Sequence, residues 1–435
     1  MAAPNAGGKK SRLTCQCDLR KPVCSRCARY PRGCIYSLSV NFVGPKRRPP
    51  DLAIDLSILA NQPTLTPSPF LSSTESKFFM HVLATQTAPV FFPAAPKLFV
   101  DRLISAALDT PHLLYALLAS ACSHHGRLVG DSTGTSRTAC LKFTNRAISG
   151  LNSALSDRTQ MLRAETAMTA MTLCTNDVCN GNMHVWRMHL AGVMRLLTAF
   201  LEQPSMADPF TLCLVKWFTT LDVLAGLSSS TSVTHGLLEH FLETCPSEVD
   251  DICGYSLELV PALTRIGQLA HQDTLSHQDM QEAQMLDLTI RFLLDRAVPS
   301  STLTTHGPEL AHELQHTHLA FVHCALLHLH RRVQGFPRDH PAVRDDIRNI
   351  LTAIQHIRPF SQANILILWP VFSAGCETTM PAERDLIHTR MTNMRGLGMG
   401  NFTRARDMLE VFWAAESPLP WDSYFAQQGH ELVLF

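Results

Sequence analysis

From about residue 74 onwards, apolar residues recur every three or four positions along the chain. That spacing places them on one face of an α-helix. The three clearest stripes are Leu114, Leu117, Leu118 and Ala121; Trp186, Leu190, Val193, Leu197 and Phe200; and Val322, Ala325, Leu326 and Leu329. The strict alternation that marks a β-strand is scarce. The pattern therefore predicts an all-α body of a dozen or more helices in one large domain.

Glycine, proline, serine and threonine gather between the periodic stretches and predict breaks between helices. These breaks fall near residues 130–135, 203–209, 227–236 and 299–308. Residues 37–73 have little periodicity and contain six prolines, which is typical of a linker. The predicted organisation is an N-terminal module over residues 1–36, a linker over residues 37–73 and a helical domain over residues 74–435.

The charge of the chain is unevenly distributed. The whole sequence has 37 basic and 37 acidic residues, yet the first 50 residues carry eleven Lys and Arg and a single acid, Asp18. The remaining residues must therefore carry a net charge of −10. This asymmetry indicates a polyanion-binding head on an acidic body. No uninterrupted apolar run reaches the roughly 18 residues of a membrane span, so no membrane partner is expected.

Five cysteines lie within twenty residues of the basic head, at Cys15, Cys17, Cys24, Cys27 and Cys34. Zinc takes four tetrahedral ligands and binds thiolates well. A disulfide framework would suit a short secreted domain instead, but the first dozen residues lack the apolar run of a signal peptide. We therefore expect reduced thiols that bind zinc, with a vestigial or redox role as the alternative. A small zinc module rich in Lys and Arg points to DNA.

The string from Cys17 to Tyr36 resembles the second half of a fungal zinc binuclear cluster, in which six cysteines hold two zinc ions. The matching features are the Cys-Asp start, the Lys-Pro pair before Cys24, the Cys24-Ser-Arg-Cys27 spacing and the Cys34-Ile-Tyr ending. The resemblance implies that the five cysteines bind zinc and that the protein binds double-stranded DNA in a nucleus. The residues it implies in DNA contact are Arg12, Arg20, Lys21, Arg26, Arg29 and Arg32.

The first half of the cluster departs from the family pattern. Arg12 stands where the first cysteine is expected, and only Gln16 separates Cys15 from Cys17. The family has six residues in that interval, and they form the recognition helix that enters the major groove. Either a misplaced exon boundary has removed five codons, or the cluster has degenerated. By the family's ligand scheme, one zinc can be held fully, from Cys24, Cys27, Cys34 and either Cys15 or Cys17.

The body carries a second resemblance. Residues 186–192, Trp-Arg-Met-His-Leu-Ala-Gly, are similar to the W-x2-H-L-x-G element of the fungal-specific transcription factor domain. Residues 368–377 similarly match its W-P-x-F-x-A-G-C-E element. The resemblance implies a regulatory helical domain. Core packing is the alternative interpretation of Trp186, His189 and Trp369, and the body cysteines are expected to be small core residues.

A rival motif lies at His312-Glu313-Leu-Gln-His316, which matches the H-E-x-x-H signature of zinc peptidases. There Glu313 would be the general base, and Glu377 a downstream ligand. His323 and His330 continue the same helical face. In a chain with 21 histidines the motif also arises by chance. We expect an ordinary half-exposed helix face, with adventitious metal binding or pH sensing as the alternative, and no enzyme.

The leading hypothesis is a zinc-cluster regulator of RNA polymerase II transcription in a fungal nucleus. Its expected partners are double-stranded DNA and the transcription machinery, and homodimer formation stays open. The alternative is a regulatory or interaction protein of the same descent that no longer binds DNA. A zinc metallopeptidase is the remote third hypothesis.

Overall fold

The computed structural model describes residues 68–180, 186–201, 209–227, 247–430 and 434. Within these ranges the secondary structure is helical, apart from one isolated antiparallel bridge between Val249 and Ser256. This confirms the predicted all-α class. The whole of the predicted N-terminal module lies outside the described residues, as do residues 37–67 of the predicted linker.

The first half of the described chain contains nine α-helices, and a π-helical turn, Leu83–Thr87, connects the first two. They are α1 (Thr74–Val82), α2 (Ala88–Phe91), α3 (Lys97–Asp109), α4 (Pro111–Val129), α5 (Thr135–Leu155), α6 (Arg158–Met161), α7 (Ala164–Cys179), α8 (Trp186–Leu201) and α9 (Pro209–Leu227).

The second half of the described chain contains eight α-helices. They are α10 (Leu259–Ala270), α11 (His277–Phe292), α12 (Ser300–His328), α13 (Pro341–Gln355), α14 (Leu368–Glu377), α15 (Pro381–Met394), α16 (Gly400–Ala415) and α17 (Trp421–Gln427). Short helical turns at Leu293–Asp295, Leu329–Val333, Gln362–Ile367 and Arg395–Leu397 extend or connect them.

Several helix ends follow directly from the sequence. Pro111, Pro341 and Pro381 each lie in the first turn of a helix, where no backbone N–H donor is needed. Gly130 ends α4 with a φ of 61°, a left-handed conformation that glycine adopts without a steric penalty. Ser276 begins α11 with a capping box, because its hydroxyl accepts from the backbone of Asp279 while the Asp279 carboxylate accepts from the backbone of Ser276.

The three predicted apolar stripes lie on helices, and their described side chains are buried. The side chain of Phe200 is outside the described set. The predicted break at residues 130–135 is the connection between α4 and α5. The predicted break at residues 299–308 is too long, because residues 300–306 are helical. The backbone departs from helical geometry at Gly307, which has a φ of 84°. Pro308 follows it and has no N–H to continue the hydrogen-bond ladder. The predicted breaks at residues 203–209 and 227–236 lie almost wholly outside the described residues.

Two hydrophobic cores account for most of the buried side chains. The N-terminal core is formed mainly by α1 to α9, and the C-terminal core mainly by α9 to α17. Helix α9 contributes to both, with Leu221 and Ala225 in the N-terminal core and Leu224 and Leu227 in the C-terminal core. The described residues accordingly belong to one compact unit.

By length and composition, Phe210–Leu227 of α9 could cross a membrane. However, 89% of this segment is buried inside the protein, as in a core helix.

A close backbone approach joins α7 to α16. A Cβ atom on Gly400, the first residue of α16, would collide with the carbonyl oxygen of Cys179, the last residue of α7. The obstacle is backbone rather than a flexible side chain, so a larger residue at position 400 requires one helix to move. The approach therefore explains why the first residue of α16 is glycine.

We predict that Gly400→Ala lowers the free energy of unfolding by about 1–3 kcal/mol, the usual cost of overpacking a filled core. Gly396→Ala is the matched control, since no atom lies within 4 Å of the added Cβ and its φ is not left-handed. It should change stability by less than about 0.5 kcal/mol. Urea denaturation of the full chain measures both, and equal effects of the two substitutions would contradict the close approach.

Candidate functional site

The residues that the sequence predicts to bind zinc and DNA all lie outside the described residues. They are Cys15, Cys17, Cys24, Cys27 and Cys34 for the metal, and Arg12, Arg20, Lys21, Arg26, Arg29 and Arg32 for the DNA. Both assignments stay predictions from the sequence.

The H-E-x-x-H motif lies on α12, and its two histidines do face one another. His312 Nε2 and His316 Nε2 are 3.2 Å apart, and the His316 ring stacks on His356 with centroids 4.2 Å apart. Burial, together with His356 and His312, lowers the pKa of His316 to about 4. His316 is therefore neutral at physiological pH. The described residues contain no group of three or more His, Cys, Asp or Glu side chains placed to hold a metal ion.

Glu313, which a peptidase would use as its base, is buried and already bonded. Its carboxylate accepts hydrogen bonds from Arg358 Nε at 2.7 Å, from the Arg358 backbone nitrogen at 3.1 Å and from Ser361 Oγ at 2.6 Å. Burial opposes its ionisation, but the bonds from Arg358 and Ser361 outweigh this and lower the pKa of Glu313. The carboxylate thus anchors the segment after α13. Glu377, the suggested downstream ligand, is similarly bonded by Arg331 and Arg338.

The polar residues further along the same face form a buried ionic cluster, which joins α11, α12 with its extension, and α13. His330 Nδ1 lies 2.6 Å from Asp346 Oδ2, and His330 Nε2 lies 2.9 Å from Asp287 Oδ1. Arg291 donates to Asp287 at 2.7 Å, and His323 Nδ1 is 3.5 Å from Asp346. Burial disfavours the charged imidazole, but Asp346 and Asp287 outweigh it and raise the pKa of His330.

Core packing was the alternative interpretation of Trp186, His189 and Trp369, and it holds for the two tryptophans. Trp186 and Trp369 are fully buried, Trp186 in the N-terminal core and Trp369 in the C-terminal core. His189 is half-buried, and its Nδ1 lies 3.2 Å from Asp177 Oδ2 of α7. Packing, rather than ligand binding, therefore accounts for the two tryptophans.

The cysteines of the body behave as the sequence predicts. Cys140 is half-buried and the other described body cysteines are buried; Cys245 lies outside the described residues. Cys174 and Cys179 are both free thiols, and Cys174 Sγ donates to the Trp186 carbonyl at 3.3 Å. Burial raises the pKa of the Cys179 thiol to about 12 and that of Cys174 further. These thiols are small apolar packing groups.

A largely apolar cavity of about 50 Å³ lies where side chains of the two cores meet. Helices α2, α7, α9 and α12 contribute to its wall, together with Ile365, Leu366 and Met399. Its principal apolar side chains are Phe91, Phe92, Trp217, Leu224, Phe321 and Ile252. Thr175 of α7 also lines it, and its hydroxyl is buried without a hydrogen-bond partner among the described residues.

Sequence reasoning did not find this cavity, because its apolar lining has the same spacing as an ordinary core. One signal was available. Threonines recur at every third position of α7, at Thr166, Thr169, Thr172 and Thr175, and all four are buried. Such a polar stripe inside a core is unusual, because each hydroxyl needs a partner.

Polar contacts also connect the first half of the fold to the second. His124 of α4 lies between Thr87 Oγ1 at 3.0 Å and the Leu397 carbonyl at 2.9 Å. Arg127, one turn later, donates to the Gly398 carbonyl. Burial lowers the pKa of His124 to about 4, so the ring is neutral when it makes these contacts.

We predict that Glu313→Gln destabilises the chain by about 1–3 kcal/mol, because Arg358 and Ser361 lose their charged acceptor. The effect should fade as the pH falls below about 4.5, since a lowered pKa gives stability only while the carboxylate is ionised. Glu309→Gln is the control. Glu309 pairs with the same Arg358 but is exposed, so its loss should cost less than about 1 kcal/mol. Thermal unfolding gives both values. Zinc-dependent peptidase activity that Glu313→Gln abolishes would overturn the structural role.

A second prediction concerns His330→Gln. The raised pKa means that protonated His330 stabilises the fold fully below its ordinary value of 6.5, and that this stability is lost as pH rises through the raised pKa. The substitution should therefore cost about 1.5–3 kcal/mol near pH 5.5 and less at pH 9. His388→Gln, which breaks an exposed pair with Glu410, should cost less than about 1 kcal/mol. Thermal unfolding across that pH range is the measurement, and a loss that grows with pH would contradict the assignment.

Comparison with known protein families gives one match. The sequence model described as the fungal specific transcription factor domain matches residues 77–435. In comparisons with curated proteins and with solved structures, no significant match is found. The matched range covers nearly all of the described helices.

Proposed function

The chain belongs to the fungal-specific transcription factor domain family, and on this premise we propose that it is a regulator of RNA polymerase II transcription in a fungal nucleus. The match over residues 77–435 is the observation that carries the proposal, because it includes both hydrophobic cores. In this proposal the helical body is the regulatory part. It recruits or responds to partners of the transcription machinery.

The N-terminal module supplies the proposed contact with DNA. Its five clustered cysteines are the donor set that zinc prefers, and its net charge of +10 over the first 50 residues matches a polyphosphate partner. Cys24, Cys27 and Cys34, with either Cys15 or Cys17, would hold one zinc ion. Arg20 and Lys21 belong to the basic set that would reach phosphates.

A second candidate function follows from the shortened interval between Cys15 and Cys17. Relative to the zinc binuclear cluster that residues 17–36 resemble, five residues of the recognition helix are missing, and Arg12 stands at the position of the first cysteine. A chain with this module would lack the residues that read base edges. It would then act as a regulator that binds other proteins. Transcript sequencing across residues 14–18 distinguishes a genuine deletion from an exon-boundary error.

The metallopeptidase hypothesis finds no support in the described body. Glu313 is buried and bonded to Arg358 and Ser361, and Glu377 is bonded to Arg331 and Arg338. A general base must reach a water molecule on the metal, and here the carboxylate is committed to holding a neighbouring segment. The family to which the chain belongs is one of regulatory domains.

We predict that the chain, with its short Cys15–Cys17 interval, binds about one zinc per molecule and binds DNA without marked sequence preference. Restoring a cysteine at Arg12 and a six-residue basic interval between Cys15 and Cys17 should raise the zinc content to about two. It should also produce sequence-specific binding about 10³-fold or more above non-specific binding. Elemental analysis and gel shifts at fixed salt measure these quantities.

The control for this comparison is the repaired chain with Cys24→Ser, which should lose both metal and specific binding. Tight, specific binding by the unrepaired chain would refute our interpretation of the deletion. Failure of the repaired chain to bind any DNA would refute the proposed DNA-binding function.

A further inference from the structure

We propose that the cavity between the two cores binds a small, mainly apolar molecule that carries a single hydrogen-bonding group. The wall offers Trp217 from the N-terminal core, Leu224 and Phe321 from the C-terminal core, and Phe91, which packs against both. An empty apolar space leaves its lining without dispersion partners, and a molecule of matching shape restores them. The space is thus suited to a ligand, and it is poorly suited to water.

The polar anchor of this site is Thr175. The other three threonines of the α7 stripe all donate to main-chain carbonyls: Thr166 to Gln160, Thr169 to Glu165 and Thr172 to Met168, each within 2.8 Å. Thr175 differs, because its hydroxyl is buried and makes no such bond among the described residues. An unsatisfied buried hydroxyl costs free energy, and a molecule in the cavity would supply the missing partner once the Thr175 side chain turns its hydroxyl towards it.

The other polar groups of the wall are already satisfied. Thr220 Oγ1 donates to the Lys216 carbonyl at 3.1 Å and lies 2.9 Å from Cys253 Sγ. Among the polar side chains of the described lining, the Thr175 hydroxyl is the one that makes no hydrogen bond. A hydroxyl can both donate and accept, so a ketone, an alcohol or an ether fits the site equally well. A charged group does not fit, since no ionised side chain lines the described wall to compensate it.

The size of the cavity limits the ligand. One water occupies about 10–15 Å³ on the same measure, so 50 Å³ corresponds to a few waters, or about four to six non-hydrogen atoms. The wall belongs to both cores, and occupancy would therefore tie them together and stabilise the fold. The meaning of this effect for transcription rests on the function proposed above, whereas the binding itself does not.

The test uses the purified full chain and two probes of the same shape, cyclopentanone and methylenecyclopentane, titrated by ligand-detected NMR. Thr175→Val should weaken cyclopentanone binding about three- to tenfold, the range expected for one hydrogen bond, and change methylenecyclopentane binding less than about twofold. Thr175→Ser, which keeps a hydroxyl, should bind both probes like the native chain. Ile252→Phe fills the cavity and should weaken both probes by about tenfold or more.

Thr172→Val is the matched control. It removes a buried hydroxyl from the same helix, but that hydroxyl bonds the Met168 carbonyl and does not line the cavity. It should leave both affinities unchanged. Absence of saturable binding of either probe to the native chain overturns the proposal, and so does unchanged binding in both Thr175→Val and Ile252→Phe. The assay contains no DNA, so its outcome is independent of the gel shifts that test the proposed function.

Discussion

Burial of α9 on both sides is the interaction that holds the helical body together. Leu221 and Ala225 complete one core, and Leu224 and Leu227 complete the other, within less than two turns. Each fully buried leucine contributes about 1.5–3 kcal/mol relative to exposure, so neither core can lose this helix without a large cost. The polar contacts of His124 and the tight backbone approach at Gly400 lie across the same boundary. The cavity lies there too, since side chains of both cores line it.

The buried charges of the body are committed to structure. Glu313, His330 and Glu377 all lie on or beside the face that carries the peptidase-like motif, and each is bonded to a partner from another segment. Such pairs are costly to break, because removing one partner leaves the other buried and unpaired. Within the described residues, the buried charges on and beside the motif therefore hold helices and their connecting segments together. The five-residue motif defines one face of a helix, but it does not determine which segments of the protein pack against that face.

The sequence was sufficient for the helical class and for the three apolar stripes, since a period of 3.6 residues depends on local geometry alone. Predictions from the sequence were less reliable for features that depend on tertiary contacts. The predicted break at residues 299–308 narrows to Gly307, because the helix resumes as soon as Pro308 has removed one hydrogen bond. The partners of Glu313 are 45 and 48 residues away, and no local pattern encodes them. The cavity is even harder to predict from the sequence, because Phe91, Trp217 and Phe321 have the same apolar character whether or not a space lies between them. Only the threonine stripe of α7 gave a hint, and its meaning depends on Thr175 differing from its three neighbours.

The burial of the body's thiols has a consequence for redox chemistry. Thiolate, not thiol, reacts with oxidants and electrophiles, and burial raises the pKa values of Cys122, Cys174, Cys179, Cys253, Cys324 and Cys376 well above the ordinary range. These six sulfurs are therefore weak nucleophiles in the folded state. An oxidant would therefore react readily with these six thiols only after the folded body has opened.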